Sequence, residues 1–133
     1  MRDQSGISTI TLYNALDTTF TRTTPTEITA ISGTSILVDN EGKPTFEQTI
    51  QRINRILFFD YTFSFFGFGL GFNTSQFKNK FGWLVLLTFY NGDKYFLNTP
   101  VFMQDTELNS NNTNVRKIEL KPNRPTGRLL KVI

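Results

Sequence analysis

The chain has 133 residues and a formal charge of +3, with no Cys and no His. These values exclude a disulfide framework, thiolate chemistry and any mechanism that runs on an imidazole base or ligand, and the length suits one domain that buries a core without staples. Thr, Asn and Phe are abundant while Ala occurs only at Ala15 and Ala30, a composition that favours strands and turns over helices.

Residues 1–6 form a polar lead-in; Arg2 and Asp3 follow Met1 with no apolar run, so no secretory leader is expected. Residues 7–13 (ISTITLY) alternate Ile10 and Leu12 against Thr9 and Thr11, the pattern of a half-buried strand. Residues 17–25 are Thr-rich and end at Pro25, which predicts a loop or an irregular edge strand. A short strand over 27–31, a Ser32-Gly33 turn and a strand over 34–38 follow. Asp39, Asn40 and Glu41 before Gly42 are oxygen donors, but they lack the alternate-position acids of a calcium loop, so a plain turn is expected.

Residues 45–57 are ambiguous. Phe46, Ile50, Ile53 and Leu57 share a helical face, and Thr45 with Gln48 resembles a capping box. Yet Ile50, Ile53 and Ile56 are β-branched, which favours a strand. A short helix over 46–55 is the first expectation and a strand the second.

The most distinctive stretch is 53–72, INRILFFDYTFSFFGFGLGF, which holds seven of the fourteen Phe residues. From Leu57 the period is two, with Leu57, Phe59, Tyr61, Phe63 and Phe65 on one face and Phe58, Asp60, Thr62 and Ser64 on the other. Gly67, Gly69 and Gly71 then alternate with Phe68, Leu70 and Phe72, leaving one bare face. Arg55, Asp60 and the glycines argue against a membrane-spanning helix here. Residues 73–80 read as a polar loop. Residues 83–90 (WLVLLTFY) are apolar on both faces and predict a central strand, which Asn91-Gly92 returns through a two-residue type I′ turn. Residues 105–114 read as the longest polar loop, 115–120 as a strand broken by Pro122 and Pro125, and 128–133 as a final strand or arm. The expected fold is all-β: an antiparallel β-sandwich or single jelly roll of about eight strands, with at most one short helix.

Charge is concentrated at the C-terminus. Residues 114–133 carry six basic groups (Arg116, Lys117, Lys121, Arg124, Arg128, Lys131) against Glu119, a net +5, while the remainder carries −2. The plain reading is solvated charge flanking a terminal strand; otherwise Arg116, Lys117, Lys121, Arg124 and Arg128 are the candidate contacts for packaged nucleic acid or for an acidic neighbouring subunit, and without interleaved aromatics a base-stacking groove is not indicated. Phe58, Phe63, Phe65, Phe66, Phe68 and Trp83 are the core and interface candidates, because aromatic surface either fills a core or meets a partner. Asp60 is the one acid embedded in an apolar run; a structural role beside an Arg is expected, with a carboxylate-dependent hydrolase as the catalytic alternative. No catalytic, cofactor or metal site is expected.

Ile36-Leu37-Val38-Asp39-Asn40, leading through a short polar loop into Phe46, resembles the strand and loop of small single-jelly-roll vertex (penton) proteins of tailless bacteriophages with internal membranes. The resemblance implies a capsid role, pentameric assembly and no catalysis. The expectation is therefore a non-enzymatic structural protein of a virion, assembled in the host cytoplasm. A tail, baseplate or decoration protein is the nearest alternative. The expected partners are further copies of the chain, other virion proteins, and nucleic acid or lipid, with no small-molecule substrate. A carbohydrate- or peptide-binding sandwich, using Tyr90, Tyr95 and Asn98, is the alternative from another class.

Overall fold

A computed structural model describes residues 6–39, 41, 43–68, 74–104, 107–109, 112–124 and 126–133, with side chains described for all of these but 68, 74, 107–109 and 112–116. Among the described residues there are eleven strands: β1 (Ile7–Asn14), β2 (Thr19–Thr24), β3 (Glu27–Ser32), β4 (Ser35–Val38), β5 (Thr45–Ile53), β6 (Ile56–Phe68), β7 (Trp83–Phe89), β8 (Lys94–Met103), β9 (Glu107–Asn109), β10 (Asn112–Pro122) and β11 (Leu130–Val132). One 3-10 turn spans Thr74–Phe77. The fold is all-β, as the composition predicts.

The strands form one hydrogen-bonded sheet that divides at β8. One edge of β8 pairs with β7. Its other edge is shared end to end: Tyr95 and Phe96 pair with β11, and Val101 to Met103 pair with β10. One branch continues from β11 through β3 to β2, and the other from β10 through β6 to β5. The ladders are antiparallel except β11 with β3, which is parallel.

The two branches give β7 two covered faces. Trp83, Val85 and Leu87 enter the larger core with Ile10 and Leu12 of β1 and Tyr61, Phe63 and Phe65 of β6. Leu84 and Leu86 point the other way, into a smaller core with Ile28, Phe96 and Leu130. Strands β1 and β6 are four ladder steps apart, which is roughly 19 Å in a flat sheet. Their side chains share one core, so the sheet folds back on itself as a sandwich. A register shift between Ile7 and Thr9 lets β1 bury both Ile7 and Ile10 despite their odd spacing.

Several expectations are corrected. Residues 46–55 are not helical. Thr45 to Ile53 pair one for one with Ser64 to Ile56, without a shift. The turn between them is Asn54-Arg55, with φ of 51° and 69°, the paired positive values of a type I′ hairpin. Thr45 makes no capping box; its Oγ1 lies 3.3 Å from Ser64 Oγ across the ladder. The spacing of Phe46 and Ile50 fits a helix and a strand face equally, and pairing with β6 decides between them.

The turn after β7 also differs. Gly92 N–H donates to Phe89 O and Phe89 N–H donates to Asp93 O, both at 2.9 Å. The loop is therefore three residues, Tyr90-Asn91-Gly92, with Gly92 at φ 95° forming the bulge. Within the stretch read as one polar loop, β9 and β10 pair as a hairpin. The alternating glycines beyond Gly67 and the lead-in before Gly6 lie outside the described residues.

Candidate functional site

The feature that stands out from the sandwich is the far half of the β5–β6 hairpin. Its inner face is a ladder of pairs: Phe46 with Phe63, Gln48 with Tyr61, Ile50 with Phe59 and Arg52 with Leu57. Exposure along β6 rises from 0% at Phe63 and 1% at Tyr61 to 7% at Phe59 and 40% at Leu57. On β5, Ile50 is 56% exposed. The apolar face thus continues past the point where the body stops covering it. Ile53 and Ile56, flanking the turn, are exposed as well.

Rings fix the base of this face. Phe59, Tyr61 and Phe63 are stacked with centroids 6.3 and 6.0 Å apart. Phe46 stacks on Phe63 at 6.3 Å and meets Phe89 edge-on at 6.0 Å, and Phe89 meets Tyr95 edge-on at 5.8 Å. Between hairpin and body runs an open groove of about 450 Å³, lined by Phe46, Ile50, Leu57, Phe89, Tyr95 and Arg128 among others. The Arg128 guanidinium sits 5.7 Å from the Phe59 ring centroid, within cation–π range. The Tyr61 hydroxyl donates to Gly127 O at 3.4 Å. Burial pushes the Tyr61 phenol up to about 12, against smaller lowering effects from the Leu129 backbone and the Arg128 charge.

The structure separates the residues singled out from sequence. Phe63, Phe65 and Trp83 are core, and Trp83 Nε1 donates to Phe77 O at 2.8 Å. Phe58 and Phe66 lie half-buried on the outer face of β6, so Phe59 and Tyr61, one position out of phase, are the core rings there. The side chains of Phe68 and Arg116 lie outside the described residues. Lys117 Nζ is 3.6 Å from Glu119 Oε2, while Lys121, Arg124 and Arg128 are exposed. The outer face of β10, β6 and β5 interleaves Lys117 and Lys121 with Glu119, Asp60 and Glu47, so these cations do not form a continuous positive track.

No family model, curated protein or solved structure matches this chain.

The site therefore has to be judged on its own chemistry. Asp60 is exposed on the outer face, in a depression lined by Gln51, Phe58, Phe59, Pro122 and Arg124, without a second acid. A carboxylate pair for glycoside hydrolysis is not assembled there. Among the described residues no three acids gather as a metal site. Tyr95 lines the groove, whereas Asn98 lies in a different depression beside Arg22 and Pro25, and Tyr90 projects from the turn. These three do not converge on one sugar. Among the described residues no helix is long and apolar enough to cross a membrane. What the arrangement offers is apolar and aromatic surface on a protruding two-stranded arm.

Proposed function

We propose that the chain is a non-enzymatic structural subunit that works by symmetric self-association, and that its setting is a virion. A capsid vertex is the first assignment there, and a tail, baseplate or decoration role the second. The observation that carries the assembly reading is the overhanging hairpin: Ile50, Ile53, Ile56 and Leu57 are 40–57% exposed on one arm. Surface of this kind on a small domain marks a contact. The virion setting rests on the sequence resemblance.

Magnitudes favour a symmetric contact. Covering the exposed half of Ile50 and of Leu57, which share the inner face, contributes about 1 kcal/mol each, or roughly 2 kcal/mol per arm; Ile53 and Ile56 lie on the other face. Association costs about 4–15 kcal/mol in lost freedom, so the arm of one subunit does not offset it alone. A contact that uses the arm of each subunit counts every residue twice. Sedimentation velocity of the purified chain over a wide concentration range tests the proposal. Self-association is expected, weakened by Ile50→Ser together with Leu57→Ser; each site is half covered, so circular dichroism checks that the variant is still folded and a loss of about 1 kcal/mol in stability per site is expected. A monomer at the highest soluble concentration would sink it.

A further inference from the structure

Sheet edges decide where a β protein meets other chains, and folds normally protect them by shortness, bulges or charge. Here β2 pairs with β3 through two register shifts and carries the exposed Arg22. β4 is four residues long and β9 three. β5 is different. It runs nine residues in unbroken register with β6 on one side, and among the described residues no strand pairs with its other side. It contains neither Pro nor Gly, and its two exposed charges, Glu47 and Arg52, are of opposite sign, so they need not repel an equal edge. Ile53 and Ile56 flank the two-residue turn as a hydrogen-bonded pair, so alternation aims the N–H and C=O of Phe46, Gln48, Ile50 and Arg52 away from β6.

We infer that this edge pairs with the same edge of a second copy, antiparallel, about a two-fold axis through Thr49. The inference rests on the self-association reading above and gives it a specific contact. Among the described residues the edge that matches β5 in length and regularity is β5 itself. A two-fold axis normal to the sheet requires one residue to face its own copy, and Thr49 is the midpoint of Thr45–Ile53, which gives the longest overlap. In that register Phe46 faces Arg52, Gln48 faces Ile50, Glu47 faces Gln51 and Thr45 faces Ile53. No like charges meet, because Glu47 or Arg52 would face its own copy only with the axis moved onto it. Every outward backbone group from Phe46 to Arg52 finds a partner. The tip of each arm then lies beside the base of the other, which sets the exposed Ile50 beside Gln48 of the second copy, while Leu57 stays one strand back from the shared edge. A two-fold contact of this kind joins two chains and closes, so a ring would use a different surface.

The chain has no Cys, so a single introduced thiol reports one contact. Facing Thr49 residues form a non-hydrogen-bonded pair with Cα atoms about 4.5 Å apart, inside the range a disulfide spans, about 4.4–6.8 Å. Glu47 and its copy are offset by four residues, about 13 Å. Under mild oxidation Thr49→Cys is expected to give a covalent dimer, and Glu47→Cys is not. Gln48→Pro removes an outward N–H while leaving the β5–β6 ladder intact, and is expected to weaken association about tenfold or more. Circular dichroism checks that each variant is folded. An associating protein in which Thr49→Cys fails to cross-link, or cross-links no better than Glu47→Cys, overturns the β5 pairing and leaves self-association standing. A wild-type chain that stays monomeric overturns both.

Discussion

Thr126 and Phe59 exchange both backbone hydrogen bonds, N–H to O at 2.8 and 3.1 Å, and Thr126 Oγ1 donates a third to the Phe59 carbonyl at 2.9 Å. This bridge straps the C-terminal segment across β6 at the last residue of the hairpin's inner face that the body covers. It also sets Arg128, two residues on, over the Phe59 ring. Thr126 is a buried polar residue, and its bonds account for that burial. Thr126→Val keeps the shape and deletes the hydroxyl. The expected loss is about 1 kcal/mol, read as a lower denaturation midpoint in urea at unchanged slope.

Trp83 is the chain's one Trp. Its indole is buried and its Nε1 donates to Phe77 O at 2.8 Å. Emission should be blue-shifted in the folded protein and move to the red in one transition with the loss of secondary structure. Trp83→Phe should cost about 2–4 kcal/mol, since it removes volume from the larger core and a buried donor together.

The Tyr61 phenol, normally near 10, is pushed up to about 12 by burial. The unfolded chain releases this proton first, so the contribution of the neutral phenol is fully present below pH 10 and is lost as pH rises from 10 toward 12. A rise of that size corresponds to about 2–3 kcal/mol. Tyr61→Phe should therefore flatten this part of the stability profile. Matched chemical denaturation of both proteins between pH 9 and 12 measures the difference; parallel curves would refute the assignment.

Gly82 and Gly92 both adopt positive φ, at 85° and 95°, so Ala at either should cost about 1 kcal/mol in backbone strain. The two sites differ in space. A Cβ on Gly82 would lie 2.6 Å from Pro100 Cβ, whereas one on Gly92 meets nothing within 4 Å. Gly82→Ala should be the more damaging by about 1–3 kcal/mol, and thermal unfolding of the pair isolates the crowding contribution.

The sequence disclosed the parts of this fold that rest on local alternation. The phase of β6 and the two apolar faces of β7 are both written in the spacing of their large side chains. It concealed features that depend on partners far away in the chain. Phe46 and Ile50 mark a helix as well as they mark a strand, and Ile53 fits the helical spacing alone, until β6 is present to pair with. Turn chemistry misled in both directions. Asn91-Gly92 suggests a two-residue turn and makes a three-residue one, while Asn54-Arg55, with no Gly, makes the tight turn because the ladder on either side holds it. The candidate site was half visible. The aromatic stretch was evident, but choosing Phe58 over Phe59 misses the inner face, and nothing in composition shows that one edge of β5 has no partner among the described residues. That fact belongs to strand order, which β8 sets by dividing its edge between β10 and β11.

The parallel pair of Lys131 and Val132 with Glu27 and Ile28 fixes an order of events at the ribosome. Among the described residues the β2–β3 hairpin hydrogen-bonds to the rest of the sheet through β11, so that edge stays open until β11 has been made, although Phe20 can already pack on Phe96. The smaller core, in which Leu130 joins Ile28 and Phe96, is completed by the latest-made of the described strands.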